Sequence, residues 1–197
     1  MPRPNKADER RRELLPLVAE AFGDLGYRRA TTAEIASRCD VQENILYRLW
    51  SDKKAMFIAS IDYLFVRRME KWQSHNAAGE KANSQRASRL IQLTSEDLGE
   101  AGLYRIIFTA LSETDDPDVK RALQRLYKRY HERVKAELRT YYERQDKLAS
   151  NEDAATAWAL IGLVAFMNIV VDLDLMSGRK RRELFTEISF RLLGDPP

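Results

Sequence analysis

The stretch from Thr31 to Lys54, TTAEIASRCDVQENILYRLWSDKK, leaves little freedom in how it folds. Thr31 followed three residues later by Glu34 has the pattern of a capping box, in which hydroxyl and carboxylate each satisfy a backbone N–H at a helix start. The helix it opens runs only to about Arg38, because Cys39-Asp40-Val41 reads as a turn whose Asp tolerates the left-handed conformation that most residues avoid. A second short helix, Gln42 to about Trp50, places Ile45, Leu46 and Leu49 on an inward stripe and leaves Gln42, Glu43, Asn44, Tyr47 and Arg48 on its other faces. Side-chain amides such as those of Gln42 and Asn44 can bond base edges in a major groove, while Tyr47, Arg48 and the following Lys53 carry donors suited to phosphate. A lone Thr-x-x-Glu marks only a helix start, and a polar helix surface is usually just solvated. The reading of a helix-turn-helix leading into a third helix rests on all these signals coinciding within about twenty-five residues.

Gly26-Tyr27, then Thr31-Thr32-Ala33-Glu34-Ile35-Ala36, then Val41, Leu46-Tyr47, Trp50 and Lys53 resemble, in order and spacing, the amino-terminal domain of the TetR family of bacterial transcriptional repressors. The resemblance covers roughly Arg12 to Phe57. It implies that Thr32, Tyr47 and Lys53 touch DNA phosphates and that the first residues of the recognition helix read bases. Three positions depart from the pattern: Asp40 stands where Gly is usual, Gln42 where Ser or Thr usually caps the helix, and Ile45 where a small hydroxyl residue is frequent. These departures bear on base contacts and operator sequence, not on fold.

A chain of 197 residues is long enough to bury a sizeable core in one large or two small domains. With 44% hydrophobic and 32% charged residues and only 8 Gly and 6 Pro, the composition favours an all-α globular protein over a disordered or all-β one. The single cysteine, Cys39, excludes an internal disulfide and argues against a thiolate metal site. The amino terminus is basic and polar, so the expected location is cytoplasmic. A net charge of +3 does not by itself argue for nucleic-acid binding, and residues 1–54 hold 11 basic against 9 acidic residues. The DNA argument therefore depends on where the cations sit.

About nine helices are expected. Residues 1 to 9 lack a periodic pattern and read as an arm that, with Arg10, Arg11 and Arg12, can follow a DNA backbone or simply be solvated. Leu14, Leu15, Val18, Ala21, Phe22 and Leu25 line a first helix that stops at Gly26, with Pro16 expected to kink it or delay its start. Ser51 or Asp52 caps a fourth helix that runs to about Ser74, and residues 75–85 read as a loop. Helices are expected at 86–100, at 103–112 with Tyr104, Ile107, Phe108 and Leu111 inward, and at 117–144, opened by Asp116 as cap and Pro117 at the first position. Ala154 to Val171 carries no charged residue and reads as a helix buried on nearly all sides, ended by Ser177-Gly178. A basic link, Arg179 to Arg182, then leads to a last helix striped by Leu184, Phe185, Ile188, Leu192 and Leu193.

Together these features give a DNA-binding domain over residues 1–54 with a basic arm, and a helical ligand-binding and dimerisation domain over 55–197. The expected function is a repressor that binds a near-palindromic operator as a homodimer and is released by a small ligand. The ligand comes mainly from the resemblance. Large or adaptable side chains at Tyr63, Trp72, Tyr104, Phe108, Tyr127 and Met167 are the candidates to hold a small, mostly apolar molecule, although any one of them is more simply core. Because the 151–175 helix is apolar all round, a second subunit is expected to cover part of it, with Ile161, Val164, Asn168, Phe185 and Ile188 near the contact. The alternative is a membrane-anchored interaction protein using 154–171 as its span. No catalytic, metal or cofactor constellation is legible: neither His75 nor His131 has a carboxylate or cysteine at helical ligand spacing, both read as surface residues, and no enzyme is expected.

Overall fold

The computed structural model describes residues 6–77, 91–92, 94–95, 104–143 and 152–194. These form eight helices, with no strand among the described residues: α1 (Lys6–Arg29), α2 (Thr32–Arg38), α3 (Glu43–Leu49), α4 (Lys53–Ala77), α5 (Tyr104–Ser112), α6 (Pro117–Glu143), α7 (Glu152–Asp172) and α8 (Gly178–Leu192). Of the helix expected at 86–100, Ile91, Gln92, Thr94 and Ser95 are helical and the remainder lies outside the described residues, as do 78–85 of the expected loop. The chain packs as two compact units, Met1–Arg68 with Ala101–Leu126, and Met69–Glu100 with Tyr127–Pro197.

In the first unit α1 packs along α5 and also meets α2 and α3. Its core is aromatic at the centre. Phe22 and Phe57 meet edge to face at 5.0 Å between ring centroids, and Tyr27 lies 4.7 Å from Phe57. Leu14, Val18, Ile35, Leu46, Met56, Ile61, Ile106 and Ile107 are buried in the same unit. Fully burying side chains of this size contributes roughly 1.5–3 kcal/mol each, enough to hold helices of seven residues that would not survive alone.

Several local expectations change. α1 begins at Lys6, so Lys6 to Glu9 are helical and not part of an arm. Asp8 and Glu9 sit in the first turn, where the helix dipole favours acids, and Asp8 bonds Arg11 at 3.0 Å. Pro16 lies inside α1. The carbonyl it deprives of a partner belongs to Arg12, an exposed residue, so water can replace the lost bond. The expected stop at Gly26 is present as a non-helical residue with φ 73°. On α5 the inward face is Ile106, Ile107 and Ala110, while Leu111 is 48% exposed and Tyr104 and Phe108 are half-buried.

The second unit is built around Ile91, Leu138, Tyr141, Ala157, Leu160, Met167, Phe185 and Leu193. α7 and α8 pack against each other. Ser177 does not end α7; its hydroxyl caps α8 by accepting from the Lys180 N–H at 3.4 Å. Arg179 to Arg182 are therefore helical residues and not a link. α7 ends earlier, at Asp172, and closes in a turn where Asp174 has φ 51°, its N–H bonds the Val171 carbonyl and the Leu175 N–H bonds the Val170 carbonyl. His131 is not a surface residue. Its ring stacks on Trp158 at 4.6 Å and its Nε2 lies 3.2 Å from the Ala154 carbonyl. α7 is not buried on all sides: only 28% of its apolar span is buried, and Trp158 and Phe166 are 48% and 51% exposed.

Candidate nucleic-acid interface

The first turn of α2 is set by Thr31, whose hydroxyl accepts from the Glu34 N–H at 3.1 Å. The other half of the expected box is engaged elsewhere, since the Glu34 carboxylate lies 3.5 Å from Arg38 Nε. α2 closes in a Schellman turn: Val41 N–H bonds the Ala36 carbonyl at 3.0 Å and Asp40 N–H the Ser37 carbonyl at 3.2 Å, with Asp40 at φ 51°. This is the left-handed residue expected from the sequence. Short polar side chains tolerate the conformation better than most, so Asp40 serves where Gly would be unstrained. Cys39, beside it, is buried, and burial pushes its thiol pKa up.

The turn directs α3 so that Leu46 and Leu49 are buried while Glu43, Asn44, Tyr47 and Arg48 are exposed, with Tyr47 49% open. Ile45 is half-buried. Gln42 is the N-cap residue, also exposed, and makes no side-chain cap bond, which leaves its amide available. Asp52 caps the following helix, its Oδ1 accepting from the Ala55 N–H at 2.7 Å. Arg11 reaches across from α1 and donates to the Leu49 carbonyl at 2.6 Å, which ties the end of α3 to α1. Of the basic run, Arg10 pairs with Glu13 and Arg11 with Asp8.

Three of the expected phosphate donors, Thr32, Tyr47 and Lys53, are held by groups of the protein, while Arg48 is exposed. Tyr47 hydroxyl donates to Thr32 Oγ1 at 3.2 Å, and Thr32 hydroxyl donates to Glu43 Oε2 at 2.7 Å. Lys53 Nζ donates to the Tyr27 carbonyl at 3.0 Å and sits 4.7 Å above the Tyr27 ring. An ammonium has three donors, so one bond leaves others for an anion. Nothing in the sequence marked the Tyr47–Thr32–Glu43 relay or the Arg11 strut, because each joins residues far apart in the pattern.

The other candidate residues fall in both units. Tyr63, Tyr104 and Phe108 belong to the first, where all three are half-buried and the rings of Tyr104 and Phe108 are 5.8 Å apart. Trp72, Tyr127 and Met167 belong to the second; Trp72 and Met167 are buried, and burial pushes the Tyr127 hydroxyl pKa up. Among the expected contact residues, Phe185 lies inside the second unit's own core at 2% exposure. Asn168 is buried with its amide donating to the Val164 carbonyl at 2.8 Å, and Ile161, Val164 and Ile188 are half-buried. No cluster of three metal-ligating side chains occurs among the described residues.

Two short helices joined by a tight turn, the second presenting amides, a hydroxyl and a guanidinium outward, define a helix-turn-helix nucleic-acid-binding domain. Residues 18–60 match the family model described as bacterial regulatory proteins, tetR family. The amino-terminal domain belongs to the TetR family, and the whole chain has the fold of solved TetR-family regulators. A TetR-family transcriptional regulator from Cytophaga hutchinsonii superposes with a TM-score of 0.77 at 13% identity, over 98% of this chain and 96% of its own. A putative transcriptional regulator from Pseudomonas aeruginosa PAO1 gives 0.75 at 14% identity, over 96% and 93%. One from Saccharomonospora viridis, in complex with choline, gives 0.75 at 17% identity, over 92% and 95%. No curated protein sequence matches the chain.

Proposed function

We propose that the protein is a homodimeric transcriptional repressor that binds a near-palindromic operator and is released by a small ligand. The observation that carries the DNA-binding part is the outward face of α3, where Gln42, Glu43, Asn44, Tyr47 and Arg48 are all exposed above buried Leu46 and Leu49. Gln42 and Asn44 read bases, since Gln or Asn can pair bidentately with adenine. Thr32, Tyr47, Arg48 and Lys53 hold phosphates.

Dimerisation has its own support. Ala155, Trp158, Ala159, Gly162, Phe166, Ile169 and Leu173 are all exposed and lie within about 100° of one another around the α7 axis, at 100° per residue. A Cβ added at Gly162 meets nothing within 4 Å, so a second helix can approach closely there. A second copy covers this face; Ile161 lies about 60° beyond its edge, while Val164, on the opposite side of the helix, packs against the second unit's own core. The ligand is a small, mostly apolar molecule. In the second unit it meets Trp72 and Tyr127 together with a polar feature: Trp72 Nε1 and Glu137 Oε2 are buried and without a hydrogen-bond partner among the described residues. Such atoms suit a ligand that adds a donor and an acceptor to an apolar body. That the Saccharomonospora viridis neighbour was crystallised with choline accords with a regulator of this fold holding a small molecule.

Footprinting across the DNA upstream of the gene tests the reading, followed by affinities for operator variants. Alanine at Gln42 and Asn44 is expected to flatten the ranking of those variants by about 1–3 kcal/mol per lost contact. An unaltered ranking in the double variant places base reading elsewhere on the protein.

A further inference from the structure

The Tyr47–Thr32–Glu43 relay bears on how the domain chooses among DNA sequences, a role that rests on the DNA-binding reading. Two hydroxyls placed to donate to a phosphate are already donating, one through the other, to an anionic oxygen of the protein: Tyr47 to Thr32 at 3.2 Å and Thr32 to Glu43 at 2.7 Å. The carboxylate belongs to the first residue of α3 and is exposed on the face that meets bases. Any duplex, whatever its sequence, brings a phosphate that competes with Glu43 for the Thr32 hydroxyl.

We propose that Glu43 sets the specificity of DNA binding by standing in for a backbone phosphate in the free protein. When phosphate takes the Thr32 hydroxyl, Glu43 loses its hydrogen-bond donor. Its carboxylate then faces the major groove, where guanine N7 and O6 and thymine O4 are all acceptors and repel it. Only the exchangeable amino groups of the groove, cytosine N4 above all, offer a hydrogen bond in return, and Glu paired with cytosine N4 is an established type of base contact. A sequence that presents such a donor opposite Glu43 recovers what was lost. Random sequence does not, so Glu43 weakens non-specific binding selectively.

The test uses the full-length protein with two fluorescein-labelled duplexes, one of mixed sequence and one recovered from a randomised pool by the wild-type protein. Glu43→Gln keeps the shape of the side chain and removes its charge. A hydrogen bond to a charged partner is worth roughly twice a neutral one, so the variant is expected to bind the mixed duplex about tenfold tighter while its preference for the selected duplex falls by a similar factor. In a Thr32→Val background the same substitution should gain less than about threefold, because the contested hydroxyl is gone, and in Thr32→Ser the full gain should return. Far-ultraviolet circular dichroism establishes that each variant keeps its helices. An unchanged affinity for mixed DNA overturns the proposal. So does an equal gain with and without the Thr32 hydroxyl, since that result means simple charge repulsion between Glu43 and DNA. Failure of wild-type protein to bind either duplex at low salt is a different result, and it refutes the DNA-binding reading itself.

Discussion

At the residue scale the proposed phosphate donors are already held by contacts within the protein. Lys53 is held by the Tyr27 carbonyl and ring, and Tyr47 by Thr32, so both side chains are ordered before a phosphate arrives. Lys53→Ala and Tyr47→Phe are therefore expected to weaken binding to all duplexes alike, because phosphate contacts position a protein without reading sequence. The two differ in salt dependence. Loss of the Lys53 cation should lower the slope of log affinity against log salt by about one unit, whereas loss of the uncharged Tyr47 hydroxyl should leave it unchanged. Titrations at several salt concentrations separate the two, and weakening confined to one operator variant would count against the assignment. That Thr32, Tyr47 and Lys53 share this part of the domain was legible from the motif. Which protein groups hold them was not, since Tyr27 lies 26 positions from Lys53 and their meeting depends on how α1 returns to α4.

Among the elements, the start of α6 is fastened to the start of α4. Lys54 Nζ donates to Asp116 and Asp118, each at 3.0 Å, and Asp116 also caps α6 through the Asp118 and Val119 N–H groups. The hydrogen bond from Lys54 is the largest reason that both carboxyl pKa values lie below the ordinary value, and those bonds raise the pKa of Lys54 in turn. A carboxyl group with a depressed folded pKa stabilises the fold at pH above its unfolded value, and that contribution disappears as pH falls through the folded value. Thermal stability is thus expected to drop as pH is lowered from about 4, and Lys54→Met should flatten that dependence. The groups are exposed, so added salt should shrink the difference between the two proteins. Identical pH profiles for wild type and Lys54→Met would show that other carboxylates set the acid limit. The Asp-Pro cap was plain in the sequence, but its ion partner was not, being 62 residues away on another helix.

For the whole molecule the proposed dimer rests on the exposed face of α7. That face carries no charge and includes Phe166 at 51% and Leu173 at 62% exposure, an arrangement that a protein in water does not leave uncovered. Phe166→Asp is expected to raise the dimer dissociation constant by ~30-fold or more, since an aromatic anchor at an interface centre is worth about 2 kcal/mol. Sedimentation velocity over a concentration series measures this directly. The same variant should lose tight binding to a full operator while keeping weak binding to a half-site, because two recognition helices spaced roughly 34–36 Å apart read two half-sites only when joined. A variant that stays dimeric moves the interface to another face.

Local chemistry written within a few residues of itself was decided by the sequence alone: the cap at Thr31, the left-handed Asp40, the Asp116-Pro117 start and the outward set on α3. These depend on short-range hydrogen bonds and on helical periodicity, which the order of residues determines directly. Tertiary structure decided what depends on neighbours distant in the chain. It put Phe185 in the second unit's core, rotated the inward face of α5 away from Leu111, gave Ser177 to α8, and stacked His131 on Trp158. An apolar stripe shows that a helix has a buried face, but its edges and its partner are settled only when other helices pack on it, because the burial of a side chain is a property of the assembled neighbours.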